Sequence, residues 1–572
     1  MIDVELAAAD WLVLLAYFAG VVALGIFAGR SIKDTNQYFL GNRRFGKWLM
    51  IGQSFGTGTH ADMPVSLAGA VYSVGASGIW FQWKNLFATP FYWLIAPLFR
   101  RMRRTTTAEV IDDRYGSWMA GIYTVFALCF FTINSASMLK GAAKVISQAA
   151  GGRVPVNGIV VVMTLVFILY SFVGGLVATA WTDFLQGFLI ITLSFMLIPL
   201  GWDTVGGLSG MKQTLEPYRF SLATPRGIGP WFILMLTLNG LVGITAQPHL
   251  MASVGTGKDE RACRIGFMYG NFTKRLCTIG WGFVGLMVTA MVARGIFGVR
   301  ALADPEEAFG FACRHLLFRG GVGLLIACVL AANMAGCSAF MVDSGALFTR
   351  SIYHKYLVRG RTDRHYLLVG RISGLVITLI GVVYALFFIK RVLYSFLLTE
   401  TMATFVGISV VGGVLWTRAN RWGALASLIS AFAVNFSIYQ ARHARLDSWD
   451  PDVFLAALLA GGAALVAVSL ITRPEPSSGL RPFYRRLQTP AIAGEDPVEE
   501  PAPDALNPAT REAAKTGHQL LLPNLLQLRR AACGYRLLHA YREDLVGFAI
   551  GCVVTILLVA MAWMLFHPAG SV

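Results

Sequence analysis

Two short stretches of this 572-residue chain put ionisable and hydrogen-bonding side chains where apolar ones are expected. The first, Gly52 to Tyr72, reads GQSFGTGTHADMPVSLAGAVY and sets His60 and Asp62 two residues apart among glycines and a proline. The second, Asn239 to His249, reads NGLVGITAQPH and sets Asn239, Gln247 and His249 around Pro248. Both interrupt segments that are otherwise apolar. A helix broken inside hydrocarbon leaves N–H and C=O groups without partners, and its half-helix ends carry partial charges. Such breaks persist where they line a cavity, and a pair of them in two halves of a chain marks the binding site of a secondary transporter. His60, Asp62, Gln247 and His249 would select polar groups of a solute or relay protons there, because ionisable groups inside a membrane are functional candidates by default. The competing reading has them capping the broken ends locally, with Pro248 making only a kink. Asn134, Ser135 and Ser137 give a long apolar segment one polar face, which serves either solute contact or helix–helix hydrogen bonding. Lys140 and Lys144 stand four residues apart near the expected outer end of that segment, where snorkelling to headgroups is expected.

The elements that must hold these residues are membrane helices. Hydrophobic residues make up 56% of the chain and charged ones 14%, with a mean hydropathy of +0.60. Soluble domains carry about a quarter charged residues. Apolar runs of about 20 residues recur, the length that crosses a bilayer. The formal charge of +17 is concentrated in short loops, so topology rather than nucleic acid accounts for it. The eight cysteines form no CxxC pair, which excludes a zinc ribbon and gives no disulfide framework. The start, MIDVELAAAD, is acidic and lacks the basic region of a cleaved signal, so Asp10–Arg30 is expected to remain as a first helix.

Hydropathy predicts about fourteen spans. Residues 1–30 make an N-terminal helix, 31–228 a first five-helix repeat, 229–418 a second, 419–473 two peripheral helices, 474–544 a cytoplasmic, partly disordered segment, and 545–572 a last helix. Each repeat opens on an interrupted span, and an odd number of helices inverts one repeat against the other. Loops with Arg43/Arg44/Lys47, Arg100/Arg101/Arg103/Arg104, Lys258/Arg261/Arg264 and Arg350/Lys355/Arg359 are placed in the cytoplasm, and both termini outside the plasma membrane of a bacterium. The tract AGEDPVEEPAPDALNPATREAAK is too polar to bury a core, and Leu520–Glu543 mixes leucine with arginine as a surface helix does.

Several phrases resemble the sodium:solute symporter family. They are Tyr38-Phe39-Leu40-Gly41, Tyr170 through Gly174-Gly175-Leu176 with Trp181-Thr182-Asp183 and Gln186, Gln247-Pro248-His249, Trp416-Thr417-Arg418-Ala419-Asn420, and Phe483-Tyr484. The resemblance covers about residues 35–490. It implies an all-α, five-plus-five inverted-repeat fold like that of the bacterial leucine transporter, a small polar solute, no redox cofactor and Na+ as coupling ion. It also implies a role for Asp183 in ion release or gating. Sodium-binding members carry two adjacent hydroxyl residues after an AAxM phrase; here Ala331-Ala332-Asn333-Met334 is followed by Ala335 and Gly336. A sodium site would then rest on Gly56, Thr59 and Ser338, since a hard cation needs several oxygen ligands. Asp343, where the family tends to have a small hydroxyl residue, becomes a candidate for coupling or gating. Proton-coupled or uncoupled transport and a transporter-like sensor are the alternatives; a membrane enzyme is disfavoured, because HExxH is absent.

Overall fold

A computed structural model describes residues 8–29, 34–152, 154–318, 320–389, 391–442, 449–493, 520–525 and 541–566. The described residues are helices and turns, with an isolated backbone bridge between Phe45 and Gly257. The main helices are α1 (Ala8–Gly29), α2 (Lys47–Thr57), α3 (Asp62–Val74), α4 (Thr89–Met102), α5 (Ser117–Ala149), α6 (Val156–Phe195), α7 (Pro230–Gly243) and α8 (Glu260–Ala293). They continue with α9 (Gly321–Phe348), α10 (Asp363–Phe387), α11 (Val392–Leu415), α12 (Arg421–Ala441), α13 (Pro451–Ile471), α14 (Ser477–Gln488) and α15 (Arg542–Phe566).

Nine helices among the described residues are long and apolar enough to cross a membrane, fewer than the fourteen expected. Three further apolar stretches, Ala8–Val21, Val156–Ile168 and Pro230–Ala246, lie in α1, in α6 and in α7 with the turn after it. The expected span 47–71 divides into α2 and α3, as its glycines and charges require. The span 77–99 also divides, which was not expected: a turn at Lys84–Ala88 separates the short helix Trp80–Trp83 from α4. The spans expected at 156–174 and 179–200 are assigned as one run of helix, α6. The acidic Pro-rich tract and most of Leu520–Glu543 lie outside the described residues, as do Arg30 and Lys33.

Polar side chains close the helix ends. Asp259 accepts the Ala262 N–H at the start of α8, and Asn420 accepts the Gly423 N–H at the start of α12. The basic loops meet at one end of the molecule. Arg43 donates to the Arg104 carbonyl, Arg100 to the Gly257 carbonyl (3.0 Å), and Lys258 N–H to the Phe45 carbonyl (2.9 Å). Helix α14 packs there too: Arg101 grips Glu260 bidentately at 2.8 and 3.0 Å and donates to the Leu487 carbonyl, while Arg486 pairs with Asp113.

Candidate functional site

The first break runs from Gly58 to Ala61. His60 Nε2 lies 2.8 Å from the Thr57 carbonyl and its Nδ1 lies 3.4 Å from Asp62 Oδ1. The Lys274 ammonium, from the middle of α8, donates to the Gly58 carbonyl that the break sets free. The second break passes from α7 through a tight turn at Ile244–Ala246 into Gln247-Pro248-His249. Tyr123 donates to the Ala246 carbonyl at 2.8 Å, satisfying one acceptor that Pro248 and the turn leave open.

Between the two breaks lies a cavity of about 60 Å³. His60, Asn134, Gln247 and His249 line it, so four of the six expected solute-contacting residues share one space. Asp62 is buried behind His60. Asn239 turns away from the cavity: its amide donates to Thr401 (3.3 Å) and its oxygen accepts from Thr404. Asn134 faces the cavity while its amide donates to its own helix at Phe130 (3.0 Å). Rings of Phe130 and Phe340 flank His249, with centroids 6.2 and 5.4 Å away.

The sequence reading missed the charged part of the wall. Lys84, Lys274, Arg275 and Glu400 all line the cavity, with Tyr92. Lys84 pairs with Glu400 at 3.0 Å, and Gln247 donates to the other oxygen of Glu400 at 2.8 Å. The available signal was a charged residue in mid-span, the same rule that singled out Asp62.

The residues considered for a cation lie beside the first break. Gly56 is where α2 meets α6: a Cβ there would stand 2.7 Å from the Asp183 Cβ. Asp183 accepts from Thr57 at 3.0 Å, and its other oxygen has no hydrogen-bond partner among the described residues, like Asp343 Oδ1 and Thr59 Oγ1. The Gly56 carbonyl accepts the Thr59 N–H at 3.2 Å, and the Ser338 hydroxyl turns back to the Ala335 carbonyl at 3.1 Å. Both oxygens keep a lone pair for a cation, since the Ser338 hydroxyl gives only its proton and the Gly56 carbonyl accepts only one N–H. Gly336 has a further consequence, since a Cβ on it would come 2.6 Å from His60 Cδ2. The imidazole fills the space that a hydroxyl residue would need. Gly336→Ser is expected to destabilise the protein by about 1–3 kcal/mol through overpacking. The loss should shrink in a His60→Ala background, as thermal unfolding of the two variants and the double variant would reveal; equal losses in both backgrounds would refute the contact.

Lys144 corrects an expectation. It pairs with Asp304 at 3.1 Å and with Glu306, rather than snorkelling to headgroups, while Lys140 donates to Asn157 at 3.1 Å.

The model of the sodium:solute symporter family matches residues 38–431. The chain belongs to the sodium:solute symporter family. Among its relatives is the osmoregulated proline transporter OpuE of Bacillus subtilis, 25% identical over 487 residues, covering 82% of this chain and 96% of that one. Another is the sodium/proline symporter of Escherichia coli, 24% identical over 446 residues, covering 72% and 84%. The solved structure of a Na+-coupled sialic acid symporter, 16% identical, overlays with a TM-score of 0.68, covering 82% of this chain and 99% of that one. The fold is therefore the inverted-repeat transporter fold, and this family member is a multi-pass, cation-coupled secondary transporter.

Proposed function

We propose that the cavity between the two helix breaks holds a small polar solute while the surrounding helices alternate access to it. The observation that carries this reading is the wall itself: both breaks, the Lys84 turn and helices α5, α8, α9 and α11 all contribute to it. Pockets for drug-sized ligands run to about 300–1,000 Å³, so a space of about 60 Å³ supports a solute of few heavy atoms. Proline is the first solute to test, because it is the one named for the relatives. The convergence of the basic loops supports a cytoplasmic position for that end, with both termini outside the plasma membrane.

The family and its sodium-named relatives support sodium as the coupling ion. Proton coupling is the second reading, favoured by the loss of the hydroxyl pair at Ala335 and Gly336 and by the open oxygens of Asp183 and Asp343. Ligand-induced thermal stabilisation separates them, since a bound ligand stabilises with the logarithm of its occupancy. Solute stabilisation that requires sodium supports the first; stabilisation that ignores sodium and follows pH supports the second.

Asp62→Asn, which removes the carboxylate charge 3.4 Å from His60 Nδ1, is expected to reduce uptake into proteoliposomes several-fold, with insertion unchanged. Uptake at the parental rate would remove Asp62 from the transport cycle.

A further inference from the structure

The cavity wall carries three basic side chains, Lys84, Lys274 and Arg275, against one carboxylate, Glu400. That carboxylate is already taken by Lys84 and by the Gln247 amide. Lys274 holds only a backbone carbonyl, at Gly58, among the hydrogen bonds described. Arg275 is 1% exposed and uses Nη1 on the Gln82 carbonyl at 2.8 Å. Its Nε and Nη2 make no hydrogen bond of good geometry among the described residues, and neither does the Tyr92 hydroxyl, which lies beside the guanidinium. Nε and Nη2 form one edge of the guanidinium fork, the edge that takes a carboxylate through two parallel hydrogen bonds. Arg275, whose guanidinium keeps its proton, thus has no carboxylate of its own in the wall, where Glu400 holds Lys84; Asp62 stands beside His60 rather than in the wall. A buried charge left without a counter-charge is strongly unfavourable. A bound anion removes that penalty.

We infer that the transported solute is a small carboxylate with net negative charge, seated on the Arg275 fork. The inference rests on the cavity being the transport site. A zwitterion would bring an ammonium among Lys84, Lys274 and Arg275, where the one carboxylate already holds Lys84 and Gln247. A neutral polyol leaves the Arg275 guanidinium without a counter-charge of its own. The rings of Phe130, Phe340 and Phe396 line the same space and suit a short carbon chain attached to the carboxylate.

The test is thermal unfolding of the purified full-length protein with acetate, pyruvate, succinate, proline or inositol as probe. At least one carboxylate is expected to raise the unfolding temperature, with proline and inositol inert. Arg275→Gln should weaken that probe's apparent affinity at least about tenfold, the scale of a charge-assisted hydrogen bond. Arg275→Lys should recover only part, because lysine keeps the charge and loses the fork. Tyr92→Phe, which changes no charge, serves if Arg275 variants fail to fold, and should weaken the same probe several-fold. Stabilisation by proline or inositol that is unchanged in Arg275→Gln and lost in Gln247→Ala overturns the inference and leaves the cavity as the transport site. Carboxylate affinity unmoved in Arg275→Gln, Tyr92→Phe and Gln247→Ala overturns both. A panel in which no carboxylate stabilises the protein also overturns the inference.

Discussion

Glu400→Gln is expected to destabilise the protein by about 3–5 kcal/mol, the range for breaking a buried ion pair from one side, and to abolish solute uptake. Lys84 and Glu400 lie 3.0 Å apart with side chains 1% and 7% exposed. The amide can still accept from Gln247, so the hydrogen bond at 2.8 Å survives in part, and what disappears is the counter-charge for Lys84. The double variant Lys84→Met/Glu400→Gln should be more stable than Glu400→Gln alone, because replacing both partners leaves no orphaned charge. Thermal unfolding of the two single variants and the double variant closes the cycle. Additive losses would mean that the two side chains do not interact, and the wall would have to be redrawn with a free carboxylate.

Transport should vanish in Glu400→Gln for a separate reason. Glu400 lies on α11, Lys84 on the turn before α4, and Gln247 in the second break. One carboxylate therefore ties three separate elements together across the cavity. A solute that passes needs those elements to move relative to one another, and a transporter stores that motion in a few discrete contacts.

How much of this was legible beforehand depended on one physical rule and where it was applied. Charged or helix-breaking residues in hydrocarbon are conspicuous when several fall together, as in Gly56–Asp62 or Gln247–His249, and both stretches do border the cavity. Lys274-Arg275 and Glu400 obey the same rule singly. Each sits in a helix apolar enough to span, Glu260–Ala293 and Val392–Leu415, and the surrounding hydropathy masks it. The break at Lys84–Ala88 was hidden differently. Trp80, Trp83 and Tyr92 are of the residue types that form interfacial belts, yet all three are buried, with Trp83 donating to the Arg275 carbonyl at 3.0 Å. Asn239 fails in the opposite sense: its position beside a break is right, but pairing with Thr401 and Thr404 depends on α11, 160 residues on, and no local pattern reveals that. His60 fits its place because Gly336 leaves it room, again a relation between distant segments.

Asp544→Ala is expected to cost about 3–5 kcal/mol by the same one-sided loss of a buried partner. Asp544 stands at the start of α15 and pairs with Arg264 of α8 at 2.5 Å, with side chains 2% and 1% exposed. Arg264 also donates to the Trp93 carbonyl at 3.0 Å, Trp93 Nε1 donates to the Glu543 carbonyl at 2.9 Å, and the Leu521 N–H reaches the second oxygen of Asp544 at 2.7 Å. Asp544→Asn keeps an acceptor for Leu521 and loses the charge, so it should fall between the parent and the alanine variant. Thermal unfolding gives the order; an alanine variant as stable as the parent would mean that the Arg264–Asp544 pair does not anchor α15. The consequence reaches the cavity. Arg264 shares α8 with Lys274 and Arg275, about 15 Å away along the helix axis. A final helix anchored on that residue therefore bears on the helix that supplies two of the three basic side chains in the wall. Weakening the anchor should lower solute affinity in Asp544→Ala as well as stability, whereas a tail that only tethers would lower stability alone.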